Sequence, residues 1–163
     1  MRSRLAAVLL GLAVATPAVP AAATDPGASL RLVVAGSRDG RPDLGLEIAL
    51  APGWKTYWRQ PGDAGLPPVF DVSASRGLAG FTVRFPVPER FEEAGLVSIG
   101  YTKPVVLPID IAPADPAKPV DFDLVVHLGL CREACGPLEA HLAATLDPAA
   151  SPVPTAAARL AAA

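Results

Sequence analysis

Alternation of apolar and polar residues over short, proline- and glycine-bounded segments constrains this chain more than any other feature. In "DLGLEIAL", Leu44, Leu46, Ile48 and Leu50 share one face, while Gly45, Glu47 and Ala49 take the other. That period of two belongs to a half-buried strand and not to a helix. Six further segments repeat it: "SLRLVVAG", "PPVFDVSA", "GFTVRFPV", "KPVVLPIDIA", "VDFDLVVHLGL" and "PLEAHLAATL". Most of the 19 prolines and 14 glycines fall between or at the ends of these segments, where they act as turn signals.

Strands recurring every ten or so residues with turns between them predict an all-β fold, an immunoglobulin-like antiparallel β-sandwich. No helix competes until "TAAARLAAA", which has high propensity but no apolar stripe to pack on anything. The segment from Asp147 to Ala163 is therefore expected to be a linker, or the start of a truncated module. The sandwich domain is expected over residues 24–146.

The N-terminus sets the compartment. Arg2 and Arg4 precede the apolar run "LAAVLLGLAVA", and Ala21 and Ala23 occupy the A-x-A positions of a leader cleavage site. Residues 1–23 are expected to be a signal peptide, since the run is about half the roughly 20 residues a spanning helix needs. No membrane insertion is expected after cleavage. The product would work in an oxidising compartment where disulfides form and persist. The chain has 14 Lys and Arg against 16 Asp and Glu, and losing Arg2 and Arg4 with the leader makes it more acidic. Nucleic acid is thus not expected as a partner, because it demands clustered basic residues.

Both cysteines lie in "GLCREACGPLEA". Along "VDFDLVVHLGLC" the residues Val120, Phe122, Leu124, Val126, Leu128 and Leu130 point one way, and Asp121, Asp123, His127 and Cys131 the other. A three-residue hairpin loop "REA" would pair Cys131 with Cys135, Leu128 with Leu138, Val126 with Ala140 and Leu124 with Leu142. Apolar then meets apolar throughout, which a one-residue slip would destroy. The pair would sit at an exposed hairpin tip, facing away from the core.

Three roles are open to such a pair. A structural staple stabilises mainly by closing a loop in the unfolded chain, and this loop is nearly the shortest possible. A redox pair opens and closes, as exposed disulfides tend to do. A Cu(I) site would use Cys131 and Cys135 as soft thiolate ligands, and the spacing superficially resembles that of Sco-type copper chaperones. His127 lies about 13 Å behind Cys131 along a strand, His141 lies further back, and both are expected to be exposed strand residues, His127 opposite Glu139. No phosphate-binding glycine loop, H-E-x-x-H or Ser/His/Asp set is present, so no cofactor is expected and no metal beyond the Cu(I) alternative.

Three segments in order carry a family resemblance: "APGWKTYWRQPGDAGLPP", "RFPVPERFEEAGLVSIGYTKPVVLPIDI" and "LCREACGPLEAHL". Over roughly residues 29–146 the chain resembles the N-terminal periplasmic domain of the thiol:disulfide interchange protein DsbD and its ScsB-like relatives. The resemblance implies an immunoglobulin-like fold and a redox function for Cys131 and Cys135. The pair would accept electrons from an inner-membrane DsbD-like donor and pass them to periplasmic thioredoxin-fold proteins. It also implies a covering loop with an aromatic residue. "ERFEEAGLVS" is the corresponding segment, with Phe91 as the cap and Gly95 as a hinge, and Tyr57 in "GWKTYW" is the counterpart of an aromatic residue beside the pair. Trp54 and Trp58 are expected in the core or at its rim. The cysteines are closer together than in the best-known member. The sequence shows neither a membrane span nor a thioredoxin-like domain, so the chain is expected either to rely on a partner for its electrons or to be a fragment of a longer protein.

Overall fold

A computed structural model describes residues 22–93 and 95–163. The first sheet is built from β1 (Ala22–Asp25), β2 (Ala28–Arg38), β3 (Arg41–Leu50), β6 (Leu78–Val83) and β9 (Val105–Pro113), in the spatial order β1-β2-β3-β9-β6. The second contains β4 (Lys55–Gly62), β7 (Glu89–Glu93), β8 (Leu96–Tyr101), β10 (Val120–Cys131) and β11 (Cys135–Leu146), in the order β11-β10-β4-β8-β7. A short β5 (Val69–Asp71) pairs with β10. Every ladder is antiparallel, and the two sheets form the immunoglobulin-like sandwich expected from the alternation.

All seven alternating segments form strands, and their apolar faces meet between the sheets. Leu30, Leu32, Leu44, Leu46, Ile48 and Leu107 close the core from the first sheet, and Phe122, Leu124, Val126, Leu142 and Leu146 from the second. Apolar burial of this kind stabilises by about 25 cal/mol per Å² removed from water. Trp54 and Trp58 are partly buried against this core, at its rim as expected.

The sequence pattern conceals β1, β4, β7 and β8. In β4 the adjacent residues Thr56 and Tyr57 are both buried, at 1% and 3% exposure, so alternation fails where both faces are covered. The segment "ERFEEAGLVS" is not a loop. It is a hairpin in which β7 pairs with β8 from Glu89↔Gly100 to Glu93↔Leu96, and Gly95 takes a positive φ of 80° at its turn. Its charges and its position at the sheet margin mark β7 as an edge strand guarded against pairing with other chains.

The C-terminal segment folds back onto the first sheet. Ser37 N–H donates to Ala150 O and Val153 N–H to Ala35 O, both at 3.0 Å. The helix α1 (Pro154–Ala161) follows, with Arg159 bonded to Glu47 at 3.0 Å and Leu160 seated on Gly45. Only a residue without a side chain leaves room there for Leu160. The expectation that this helix has nothing to pack on is corrected by that notch in β3. Of the leader expected over residues 1–23, positions 1–21 lie outside the described residues, and Ala22 and Ala23 open β1. Among the described residues no helix is long and apolar enough to cross a membrane.

Candidate functional site: a hairpin disulfide under an aromatic cover

The β10–β11 hairpin runs in one uninterrupted register from Val120↔Leu146 to Cys131↔Cys135. This matches the pairing expected from the apolar positions, including Leu128↔Leu138, Val126↔Ala140 and Leu124↔Leu142. Arg132, Glu133 and Ala134 form the turn, where Arg132 N–H bonds Ala134 O at 3.2 Å. Cys131 and Cys135 are joined by a disulfide, with Cα atoms 4.0 Å apart.

The two cysteines differ in environment. Cys135 is exposed, whereas Cys131 is only 3% exposed. The expectation that the pair sits openly at a hairpin tip is therefore corrected for Cys131. Its side chain does face away from the sandwich core, but that outer face of the sheet is itself covered at this end.

The cover begins with β4. Its pairing with β10, Leu130↔Thr56 and Cys131↔Lys55, sets Lys55 and Tyr57 on the face that carries Cys131. Thr56 donates its hydroxyl to the Gly129 carbonyl at 2.9 Å, which locks this register inside the protein. The Tyr57 hydroxyl lies 3.7 Å from Cys135 Sγ. Its ring fits between Gly129 and Gly65: a Cβ on Gly129 would fall 2.8 Å from Tyr57 Cδ2, and one on Gly65 would fall 2.5 Å from Tyr57 Cδ1. Leu66 completes this wall beside Gly129.

Phe91 reaches the same place from β7. Its ring centroid is 6.3 Å from that of Tyr57, and the Lys55 ammonium stands 5.1 Å from the Phe91 centroid. In the ladder Phe91 pairs with the fully buried Ser98. The segment leading into that strand is tied down three residues before it begins, because the Tyr101 hydroxyl donates to Pro86 O at 2.9 Å. Burial pushes the Tyr101 hydroxyl's pKa up to about 12, with Arg59 opposing.

The histidines face other partners. His127 lies opposite Glu139 at 3.5 Å, and His141 meets Asp123 at 2.7 Å. Both are exposed, as expected. Among the described residues no group of three His, Cys, Asp or Glu side chains converges as a metal site.

The roles of Lys55, Gly65, Leu66 and Gly129 around the pair were not legible in the sequence. Gly129 carried the one available signal, as a glycine inside an otherwise strong strand pattern, which marks a close approach.

Fold and site together describe an all-β sandwich with a disulfide closing the end of its longest hairpin, one cysteine covered and the other open. The family model "Thiol:disulfide interchange protein DsbD, N-terminal" matches residues 27–147, and the chain belongs to that family of thiol:disulfide interchange domains. Its structure is similar to the crystal structure of the N-terminal periplasmic domain of ScsB from Proteus mirabilis. The TM-score is 0.65 and the identity 29%, over 85% of this chain and 57% of that one. This chain thus spans little more than half of that domain's length. No curated protein matches the chain at a significant level.

Proposed function

We propose that this is a periplasmic electron-transfer domain in which the Cys131–Cys135 disulfide cycles between closed and open forms, taking electrons from an inner-membrane DsbD-like donor and giving them to thioredoxin-fold acceptors. The observation that carries this reading is the unequal exposure of the two disulfide-bonded cysteines, with the Tyr57 hydroxyl 3.7 Å from Cys135 Sγ and Phe91 packed near Tyr57. In this reading Phe91 and Tyr57 shield the bond, and the leader directs the chain to the periplasm.

Exchange begins at the exposed side. A donor thiolate attacks Cys135 Sγ, a donor–Cys135 disulfide forms, and the electron pair of the broken bond leaves on Cys131 Sγ. The donor's second thiol, deprotonated, then attacks its own partner sulfur. That step closes the donor disulfide and releases Cys135 as a thiolate. Two electrons have moved to the pair, and two protons follow through water. Reduction of an acceptor disulfide runs the same sequence backwards, again from Cys135.

Trapping tests this order. Cys131→Ser leaves Cys135 as the single thiol and is expected to accumulate a mixed disulfide with a protein of thioredoxin fold supplied in its disulfide form, the Cys135 thiolate attacking that disulfide and the partner's other sulfur leaving as a thiolate. Cys135→Ser, with its remaining thiol covered, is expected to trap at least tenfold more slowly. Equal trapping by both variants overturns the assignment of Cys135, and no trapping by either overturns exchange as the function.

A further inference from the structure

Lys55 occupies a position that the shielding role of Phe91 and Tyr57 does not explain. It is the cross-strand neighbour of Cys131. Residues paired in an antiparallel ladder project from the same face with Cβ atoms about 4.5 to 5.5 Å apart. A four-carbon stem on that neighbour brings an ammonium within reach of Cys131 Sγ. In the closed disulfide, however, the ammonium is placed over the Phe91 ring, 5.1 Å from its centroid. Among the described residues, that cation thus has an aromatic face in the cover on one side and the sulfur of its ladder neighbour on the other.

The two differ in charge with redox state. A disulfide sulfur is neutral and offers a cation little, so the negative face of the ring is the better counterpart. When the bond opens at Cys135, the departing electron pair leaves Cys131 as a thiolate in a covered site, where its charge is poorly hydrated and an adjacent ammonium stabilises it strongly. The nearby turn also carries Arg132 and Glu133, of opposite sign, both exposed to solvent. Lys55 is the cation whose strand position is paired to Cys131 itself.

Building on the exchange reading above, we propose that Lys55 is a positioning residue with two alternating partners, the Phe91 ring while the disulfide is closed and the Cys131 thiolate once it is open. Reduction draws the ammonium off the ring and loosens β7. Reoxidation consumes the thiolate and returns the ammonium to Phe91. The cover is thereby tight over a bond that should not exchange at random, and looser over a dithiol ready to be oxidised.

Amide hydrogen exchange along β7, measured on the oxidised and reduced forms of the whole chain, tests the idea. The wild type is expected to exchange severalfold faster in β7 when reduced. Lys55→Met keeps the stem without the charge and is expected to abolish that difference, while Lys55→Arg restores it. Thiolate absorbance of the reduced protein supplies a second readout, because Lys55→Met is expected to raise the midpoint of Cys131 ionisation by about one pH unit. Identical β7 exchange in the two wild-type forms, or a redox difference that survives Lys55→Met, overturns the proposal. Mixed-disulfide trapping by Cys131→Ser has no Cys131 thiolate for Lys55 to face. It therefore reports on the exchange reading alone and separates the two failures.

Discussion

The ring of Tyr57 lies directly against Gly129, so closely that a methyl group on Gly129 would stand 2.8 Å from Tyr57 Cδ2 and 2.9 Å from Leu66 Cβ. Both obstacles are side chains, and Tyr57 is the one whose hydroxyl approaches Cys135 Sγ. Gly129→Ala is therefore expected to push Tyr57 off the disulfide while leaving the strands paired. Overpacking of this kind costs about 1–3 kcal/mol. Thermal denaturation should report that loss, and reduction of the bond by dithiothreitol should become severalfold faster. A variant with unchanged reduction rate would show that Tyr57 does not limit access.

Phe91 sits on an edge strand and is only partly buried, so its removal should touch access more than stability. Phe91→Ala is expected to speed alkylation of the reduced pair by iodoacetamide several-fold, with a stability loss of about 1–2 kcal/mol. A large drop in melting temperature with no change in alkylation would make Phe91 a packing residue and nothing more.

Opening the disulfide should leave the sandwich standing. The bond closes a loop of three intervening residues, and loop-closure entropy for so short a loop is worth about 2 kcal/mol. Domain stabilities run to about 5–15 kcal/mol, and the β10–β11 ladder continues for its full length without the bond. Circular dichroism before and after reduction should be superimposable at 25 °C, with only a lowered denaturation midpoint. Loss of the β signal on reduction would identify a structural staple instead.

Alkaline pH should loosen the same end of the protein through Tyr101. Its hydroxyl ionises near 10.0 in an open chain and at about 12 in the fold. The folded state thus favours the protonated form. That contribution to stability is complete below about pH 10 and is lost as pH rises through about 12. Tyr101→Phe is expected to remove this part of the alkaline transition and, by deleting the bond to Pro86 O, to cost about 1 kcal/mol at neutral pH. An alkaline transition identical in both proteins would refute the assignment.

The hairpin that bears the pair was readable because one face of β10 is wholly apolar and the other, Val125 apart, is polar until Gly129. Period-two alternation then allowed a single register with β11. The same logic missed β4, where Thr56 and Tyr57 are buried on opposite faces, and β7, whose glutamates belong to an edge that alternation does not describe. Phe91 was named from the family resemblance and not from alternation, and it was expected in a loop where the structure has a strand. The seat of α1 escaped for a related reason. A glycine inside a strand, Gly45, records only that something comes close, and the visitor, Leu160, lies more than a hundred positions along the chain. Close approaches between distant segments leave small residues behind and no pattern.

With Cys131 covered and Cys135 open, the protein offers one doorway to its disulfide. Under the exchange proposed above, a donor and an acceptor that both enter by Cys135 could not be bound at the same time, so each would have to leave before the other arrives. Such traffic would be a relay with a single handhold, and its steady-state kinetics would take the substituted-enzyme form, with parallel lines in double-reciprocal plots. Excess of either partner would then obstruct the other, and the flow of electrons would be greatest when the two are balanced.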